Sequence, residues 1–243
     1  MKIFNLNVND FGGADKHLEE YKQIYGSRWC IKKWDYIDKT IEIKGIIECI
    51  EGFTPDIVIF EEYDINSIEA QSFEMKMKEK GYELKSESTT YKRPSMTVFF
   101  IKTSLEHSYV SVGHTKNGRA YAIKVKDVII YGTHVPPKFD EDFWRELHSF
   151  INDISSNKYI LIGDFNTINH KNLNELDKIC ESAIDVWKAK KNSKPISIMG
   201  DHVIVSNNIE IDNIEIQSFD EKKSDHPEIY ITIEDVIFET KTN

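Results

Sequence analysis

The sequence predicts an α+β protein in which two β-sheets pack face to face and helices cover their outer sides. Many short segments are rich in β-branched and aromatic residues, and several alternate apolar with polar side chains. Fewer segments repeat apolar residues at helical spacing, and these lie between the strands. The 243 residues are 40% hydrophobic and contain no long linker or internal repeat, so a single domain over residues 1–243 is expected.

The predicted strands extend over the whole chain. In order, they cover residues 2–8, 56–62, 82–88, 95–102, 109–114, 120–126, 127–134, 158–163, 201–206, 209–218 and 227–234. The first strand lies in the opening stretch MKIFNLNVND, where alternation and early asparagines indicate a strand rather than a signal peptide.

Helical periodicity is clearest at residues 140–154, where Asp140 is the expected N-cap. One apolar stripe of this segment contains Phe143, Leu147, Phe150, Ile151 and Ile154. A second helix is predicted over 37–51, with an inward face formed by Ile37, Ile41, Ile47 and Ile50. Gly52 follows its predicted end, and Pro55 begins the next strand. Shorter helices are predicted over 68–80 and 172–182.

The charge balance and the cysteines limit the classes of function. The 31 Lys and Arg against 41 Asp and Glu give a net charge of −10, which argues against a module that grips duplex DNA through a basic surface alone. Cys30, Cys49 and Cys180 lie far apart, which favours a reducing, cytoplasmic location over a disulfide framework. No run reaches the roughly 18 apolar residues of a membrane span. A monomer is expected, and no protein partner is indicated.

Polar side chains suited to metal binding or proton transfer lie at the ends of predicted strands. Glu61 and Glu62 end DIVIFEE, and strand alternation predicts that one carboxylate points inward and the other outward. Asp164 and Asn166 follow KYILIG on one face, while Phe165 points to the other face. Further strand ends carry Asn5, Asn7, Asn9, His134, Asp201, His202, Asp225 and His226. Each alone is more often structural, but together they favour a site.

This set of residue types is typical of an enzyme that hydrolyses phosphate esters with a divalent metal. Carboxylate and amide oxygens are the ligands that Mg²⁺ or Mn²⁺ prefers, and the chain has neither HExxH nor clustered Cys and His for zinc. The metal neutralises charge that grows on the phosphate oxygens. A histidine beside an aspartate is held in one tautomer and can donate to a phosphate.

In their order along the chain, several of these segments resemble the motifs of the endonuclease/exonuclease/phosphatase superfamily. The matching segments are LNVN, PDIVIFEE, YGTHVP, LIGDFNT, AIDVWKA, GDHVIVS and SDHPEI. They extend from residue 2 to about 232, and GDFN together with a terminal SDH is the specific part of the resemblance. The resemblance implies a four-layered α/β sandwich with two mainly antiparallel sheets. It also implies a metal-dependent phosphoesterase that uses Mg²⁺, with Mn²⁺ as an alternative.

The resemblance further implies metal-binding and phosphate-binding roles. Asn7, Glu62 and Asp225 match the positions that bind or lie near the metal. His134 matches a histidine that acts on the scissile phosphate in the deoxyribonuclease and sphingomyelinase branch. His226 matches the terminal histidine, which is also expected on the phosphate.

Three more positions match residues that assist the reaction. Asp164 matches the residue that orients or deprotonates the attacking water. Asn166 matches a ligand of the phosphate or of the transition state. Asp201 matches an aspartate that supports a catalytic histidine.

Three positions of the family pattern allow more than one interpretation in this sequence. Asn5 is the less favoured register for the first asparagine of the family pattern. Glu61 stands where glutamine is common, so that it either faces away or affects metal affinity through its charge. His202 stands where tyrosine is usual, and a packing role is favoured over a second catalyst.

The substrate is less well determined than the chemistry. The aromatic and basic segment 14–36 either contacts bases and phosphates or forms a helix packed on the core. The basic stretch 187–195 and Arg93 are further candidates for phosphate contacts. A nuclease acting on DNA or another nucleic acid is favoured, by endo or exo cleavage. The alternatives are a phosphatase or sphingomyelinase-like phospholipase acting on a small phosphorylated molecule, and a catalytically inactive binding module.

Overall fold

Alternating apolar side chains pair the strands into two six-stranded sheets in the computed structural model. The model describes residues 1–11, 39–86, 95–113, 118–186, 200–209, 213–216, 224 and 226–233. The first sheet contains, in spatial order, β11 (Asn213–Ile216), β12 (Ile229–Thr232), β1 (Lys2–Asn7), β2 (Ile57–Tyr63), β4 (Met96–Lys102) and β3 (Tyr82–Lys85). The second contains β5 (Ser108–Val110), β6 (Ala120–Val125), β7 (Val128–His134), β8 (Lys158–Asp164), β10 (Asp201–Ser206) and β9 (Ala183–Asp185).

Both sheets have the same plan. In the first, β1 and β2 form a parallel pair, and all other neighbours are antiparallel. In the second, β7 and β8 form the parallel pair in the same central position. A helix connects the two strands of each parallel pair, as parallel neighbours require. The prediction of two mainly antiparallel sheets is therefore confirmed.

Four helices cover the sheets within the described part of the chain. They are α1 (Lys39–Phe53), α2 (Ile68–Glu79), α3 (Glu141–Ile154) and α4 (His170–Cys180). Asp140 caps α3 as predicted, because its side chain accepts a hydrogen bond from the amide of Phe143 at 3.0 Å. Helix α1 does not stop before Gly52 as predicted. It continues to Phe53, and Thr54 adopts the left-handed conformation (φ 52°) at its end.

Three apolar clusters separate the four layers. The central cluster joins the inner faces of the two sheets, with Ile57 and Ile59 from β2 packed near Ile160 and Ile162 from β8. A second cluster lies between the first sheet and helices α1 and α2, and a third between the second sheet and helices α3 and α4. Phe165 belongs to the third cluster, so its side chain points away from the central layer as predicted. This is the four-layered α/β sandwich expected from the resemblance.

The remaining differences from prediction concern short elements and segment ends. Strand β9 has only three residues and was not predicted, because so short a run carries no periodicity. The strand predicted over 209–218 is described only at Asn213–Ile216. Segments 14–36 and 187–195, together with Cys30, Arg93, Asp225, Ile37 and the side chain of Ile41, lie outside the described residues. None of the helices in the described ranges is long and apolar enough to cross a membrane.

Candidate active site

The ends of the two central parallel pairs meet at one edge of the sandwich. His134 ends β7, and its Nε2 lies 3.5 Å from Glu62 Oε1 and 3.8 Å from Asp164 Oδ2. Glu62 is the penultimate residue of β2 in the other sheet, whereas Asp164 ends the neighbouring β8. One ligand atom from each of the three residues lies within 4.8 Å of the others. Residues separated by about a hundred positions in sequence are thus brought into one cluster.

A break in strand alternation carries Glu62 into this cluster. The pairing of β2 with β4 shifts between Phe60 and Tyr63, and Glu62 has a φ of 51°. Phe60 and Tyr63 both pack in the second apolar cluster, between the first sheet and helices α1 and α2. Glu62 is therefore the extra residue of a bulge. Its side chain is 33% exposed at the mouth of the site. Simple alternation would have pointed it toward the helices.

Glu61 points inward, between the two sheets. It is 0% exposed, and the Nδ2 of Asn5 donates to its Oε1 at 2.7 Å. The alternative that Glu61 faces away from the site is therefore wrong, since Asn5 and the bulge fix it inward. Burial is the main cause that raises its pKa well above the ordinary value, and the charges of Asp201 and Asp164 act in the same direction. The Oε2 of Glu61 has no hydrogen-bond partner in the described part of the structure.

Asp164 is held by the turn that follows β8. The backbone amide of Asn166 donates to its Oδ1 at 2.7 Å, and the Asn166 side-chain Nδ2 donates to its Oδ2 at 3.2 Å. The same Nδ2 donates to the carbonyl of Val135 at 2.7 Å. Both side-chain hydrogens of Asn166 are thus used within the protein. In this arrangement Asn166 holds Asp164, and its predicted role as a ligand of the phosphate or of the transition state stays a prediction.

Two glycines make room for this turn. Gly163 has a φ of 137°, and a Cβ there would lie 2.0 Å from the carbonyl oxygen of Thr133. A Cβ on Gly200 would lie 2.3 Å from Asp164 Oδ1. Both positions therefore require glycine, and both lie beside the same carboxylate.

The pKa of Asp164 is raised from its ordinary 3.8 to about 7. Burial is the largest cause, and the negative charges of Asp201 and Glu62 act in the same direction. His226 and the amide of Asn166 oppose the shift. A carboxyl group with this pKa exchanges a proton close to neutral pH.

His226 reaches the cluster from the segment before β12. Its Nδ1 lies 2.8 Å from Asp201 Oδ2, and its Nε2 lies 3.4 Å from Asn7 Nδ2 and 3.9 Å from Asp164 Oδ2. A carboxylate only accepts, so Nδ1 carries the proton and Nε2 faces the site with its lone pair. Ser224 anchors this segment, because its hydroxyl donates to the carbonyl of Asn7 and accepts from the amide of His226.

Asn7 presents its amide nitrogen to the cluster. Nδ2 donates to Glu62 Oε1 at 3.3 Å, while Oδ1 accepts from the backbone amide of Asn9 at 3.0 Å. Through the same Nδ2, Asn7 also contacts His226. Asn7 thus lies among the other predicted residues, and its role as a metal ligand stays a prediction. Asp225, the third predicted metal-binding residue, lies outside the described part of the chain.

Arg119 is a residue of the site that the sequence did not predict. Its NH1 lies 3.3 Å from His134 Nδ1 and 3.3 Å from the carbonyl of the same residue. Arginine precedes a strand in many proteins without a functional reason. The alternating stretch that follows Arg119 gives no sign that it lies beside a histidine.

His202 bridges two elements beside the site. Its Nδ1 lies 2.9 Å from Asp185 Oδ2, and its Nε2 lies 2.9 Å from Thr167 Oγ1. The ring also packs edge-on against Phe165. Strands β9 and β10 are thereby tied to the turn that carries Asp164. These contacts agree with a structural role rather than a second catalytic one.

The donor set of the site fits a hard divalent cation. Glu62 and Asp164 offer carboxylate oxygens at the same edge, which suits Mg²⁺ or Mn²⁺. The Oδ1 of Asp201 is a further buried oxygen without a hydrogen-bond partner among the described residues. Amide and imidazole groups surround these carboxylates, and within the described ranges no lysine forms an ion pair with Glu62 or Asp164.

The whole chain is similar in fold to solved structures of enzymes that act on DNA. An AP endonuclease from Archaeoglobus fulgidus matches with a TM-score of 0.67 and 15% identity over 96% of this chain and 99% of that chain. TDP2 from D. rerio in complex with a single-strand DNA product matches with a TM-score of 0.62 and 14% identity, over 97% and 99%. The 3′ phosphatase NExo from Neisseria, bound to a product DNA hairpin, also matches with a TM-score of 0.62 and 14% identity, over 96% and 99%.

These comparisons confirm the fold expected from the resemblance, a four-layered α/β sandwich. No family model matches the sequence, and no curated protein sequence is significantly similar to it.

Proposed function

We propose that the protein is a divalent-metal-dependent phosphodiesterase, and specifically a nuclease. The observation that carries this proposal is the convergence of Glu62, His134, Asp164 and His226 at one edge of the sandwich. Two carboxylates, two imidazoles and their orienting partners provide ligands, a proton acceptor and hydrogen-bond donors within a few ångströms. Similarity to structures of DNA-processing enzymes supports nucleic acid as the substrate.

Asp164 is the proposed acceptor of the proton that an attacking water loses. Without a bound cation its pKa is about 7, so the carboxylate forms near neutral pH, and a cation at Glu62 would favour that form further. The hydrogen bonds from Asn166 fix both carboxylate oxygens, so that the group needs no rearrangement before the reaction.

His226 is the proposed partner of the phosphate. Asp201 holds the imidazole by its Nδ1 proton, which leaves Nε2 directed at Asn7 and Asp164. Protonation of Nε2 would turn the ring into a donor to a phosphate oxygen, and Asp201 would stabilise the resulting positive charge. The Asp201 and His226 pair would thus donate to the phosphate, while Asp164 would accept the proton of the water.

The metal would be held by the carboxylate of Glu62, which Asn7 orients, and would lie beside Asp164. A bound divalent cation would neutralise charge on the phosphate oxygens. Mg²⁺ is the proposed cation and Mn²⁺ the alternative, because both accept hard oxygen ligands.

The test is a substrate panel assayed with Mg²⁺, with Mn²⁺ and with chelator. The panel contains abasic and nicked duplex DNA, single-stranded DNA, RNA, inositol phosphates, sphingomyelin and bis(p-nitrophenyl) phosphate. We expect metal-dependent cleavage of at least one nucleic acid. The net charge of −10 favours short, damaged or single-stranded substrates over tight binding of intact duplex.

Two other results would change the assignment. Cleavage restricted to monoesters or lipids would favour a phosphatase or phospholipase. The absence of any hydrolysis, with a folded and metal-binding protein, would favour a binding module that has the fold without the activity. A cytoplasmic location and a monomeric state remain predictions, to be tested by fractionation and by sedimentation.

A further inference from the structure

The guanidinium group of Arg119 contacts the side of His134 that faces away from the site. NH1 of Arg119 lies 3.3 Å from His134 Nδ1, while Nε2 of the same ring faces Glu62 and Asp164. The imidazole is 6% exposed, so water has little access to compete for its nitrogen atoms. The position of the ring proton is therefore decided by protein groups.

An arginine can only donate, since its guanidinium has five N–H groups and no acceptor. His134 Nδ1 must then be the acceptor of this hydrogen bond, and in a neutral ring the proton belongs to Nε2. The Nε2–H bond points at the cluster of carboxylates. This is the opposite of His226, where Asp201 holds the proton on Nδ1 and leaves Nε2 as an acceptor.

The backbone holds Arg119 in place for this contact. Its carbonyl accepts from the amide of His134 at 2.8 Å and from the hydroxyls of Thr97 and Thr133 at 3.0 Å and 3.2 Å. The next residue, Ala120, pairs with Thr133 in the β6–β7 ladder. The start of β6 is thus fixed against the end of β7, and the guanidinium needs no loop movement to reach the imidazole.

The common plan of the two sheets gives a second reason to assign Arg119 to the site. In the first sheet, β12 lies beside β1, and His226 before β12 lies 3.4 Å from Asn7 at the end of β1. In the second sheet, β6 lies beside β7 in the same way. Arg119 before β6 lies 3.3 Å from His134 at the end of β7. Arg119 therefore stands just before the strand that corresponds to β12, as His226 does in the first sheet.

We propose that Arg119 is a positioning residue that keeps the proton of His134 on Nε2, so that this histidine donates a hydrogen bond to a phosphate oxygen of the substrate. This inference rests on the proposed phosphodiesterase function. It assigns His134 to the phosphate and leaves the cation to the carboxylate of Glu62, because a protonated Nε2 has no lone pair for a metal.

The tautomer can be measured without any substrate. Nitrogen and proton correlation spectra of isotope-labelled protein distinguish a protonated from an unprotonated imidazole nitrogen. They are recorded at a pH well above the ordinary histidine value of about 6.5, with and without Mg²⁺. We expect His134 to carry its proton on Nε2 in the unsubstituted protein. We expect Arg119→Glu to move the proton to Nδ1, and Arg119→Met to give a mixture.

Kinetics provide the second measurement, on the best substrate of the panel. A single well-placed donor to a reacting group contributes about 100-fold or more. We therefore expect kcat to fall about 100-fold in Arg119→Glu and about 10-fold in Arg119→Met, with KM little changed. Arg119→Lys retains a donor and is expected to recover most of the rate. Arg145→Met is the matched control, since that arginine is exposed and pairs with Asp142 on α3.

Each outcome bears on one of the two proposals. A His134 proton on Nδ1 in the unsubstituted protein would overturn the role of Arg119, whatever the activity. A rise of KM with unchanged kcat would also overturn that role, because Arg119 would then bind substrate directly. An Nε2 proton that follows the substitutions, with no hydrolysis of any phosphodiester by the unsubstituted protein, would keep the tautomer assignment and overturn the enzymatic function. Thermal unfolding of each variant identifies loss of fold. If Arg119→Glu does not fold, the comparison of Arg119→Lys with Arg119→Met provides the same test.

Discussion

The two sheets share one backbone plan but contribute different chemistry to the site. Each has a central parallel pair, β1 with β2 and β7 with β8, and the second strand of each pair carries a carboxylate at its end or one residue before it. Glu62 in the first sheet has a φ of 51°, and Asn166, just after Asp164 in the second, has a φ of 50°. Each half thus turns its chain sharply beside the carboxylate that it contributes.

The difference lies in which position carries the histidine. In the first sheet the first parallel strand ends in Asn7, and His226 stands before its antiparallel neighbour β12. In the second sheet His134 ends the first parallel strand, and Arg119 stands before its antiparallel neighbour β6. Asp201 contacts Nδ1 of His226, whereas Arg119 contacts Nδ1 of His134. In neutral rings, Nε2 of His226 therefore faces the site as an acceptor and Nε2 of His134 as a donor. With both rings neutral, the repeated backbone therefore presents an acceptor and a donor at one edge, and His226 becomes a second donor to the phosphate once its Nε2 is protonated.

Removal of the His226 imidazole or of the Asp164 carboxylate is expected to lower kcat more than any other substitution. His226→Ala and Asp164→Ala should each lower kcat about 10⁴-fold, since each removes a group that moves or holds a proton. Steady-state kinetics with a saturating divalent cation measure this. His148→Ala is the control, because His148 pairs with Glu175 at 2.9 Å on the outer helices, away from the site. Near-full turnover of Asp164→Ala would show that another group accepts the proton.

Substitution of Asp201 tests the difference in hydrogen-bonding character directly. Asp201→Asn replaces an acceptor by a group that can donate, so the proton of His226 is expected to leave Nδ1 for Nε2. We expect kcat to fall about 100-fold while the fold is retained. The spectra that report the tautomer of His134 also report that of His226. An unchanged His226 tautomer would mean that Asp201 does not set it.

Glu62→Gln is expected to act on the metal rather than on the chemical step. Loss of one carboxylate charge should raise the Mg²⁺ concentration for half-maximal rate about 10-fold or more, with a smaller change of kcat at saturation. A titration of rate against Mg²⁺ measures both quantities. Exposed Glu79 at the end of α2 provides the control Glu79→Gln. An unchanged metal requirement would remove Glu62 from the proposed ligands.

Glu61→Gln is expected to have the smallest effect on rate and to increase stability. The folded pKa of Glu61 is raised by burial, so the folded protein binds a proton that the unfolded chain has already released. Stability is therefore lost as the pH rises from the ordinary value of 4.5 toward the raised one. The substitution should raise the Tm of the metal-free protein by a few degrees at neutral pH and hardly at all near pH 4.

The control for this measurement is Glu83→Gln. The carboxylate of Glu83 is fully exposed, and the hydrogen bond from Lys85 lowers its pKa, so its contribution has the opposite sign and is small. Thermal unfolding in chelator across this pH range separates the two cases. If the difference in Tm between Glu61→Gln and the unsubstituted protein did not increase with pH, the folded protein would accommodate Glu61 as a charged group.

The sequence determined the layers of this fold because they follow from local pattern. Alternation located the long strands, and the apolar stripe with Asp140 located α3, since a buried face repeats at the period of its own element. The candidate residues Glu62, His134, Asp164, Asp201 and His226 were also found, because polar groups at the ends of apolar strands are locally conspicuous.

Tertiary structure decided how those groups face one another. Strand alternation did not predict that Glu62 enters the site, since the bulge depends on pairing with β4. It also gave no sign that Asn7 turns its nitrogen to Glu62, or that Arg119 contacts His134. A hydrogen bond between residues distant in sequence depends on distance and direction in space, and these are set only when the two sheets pack together.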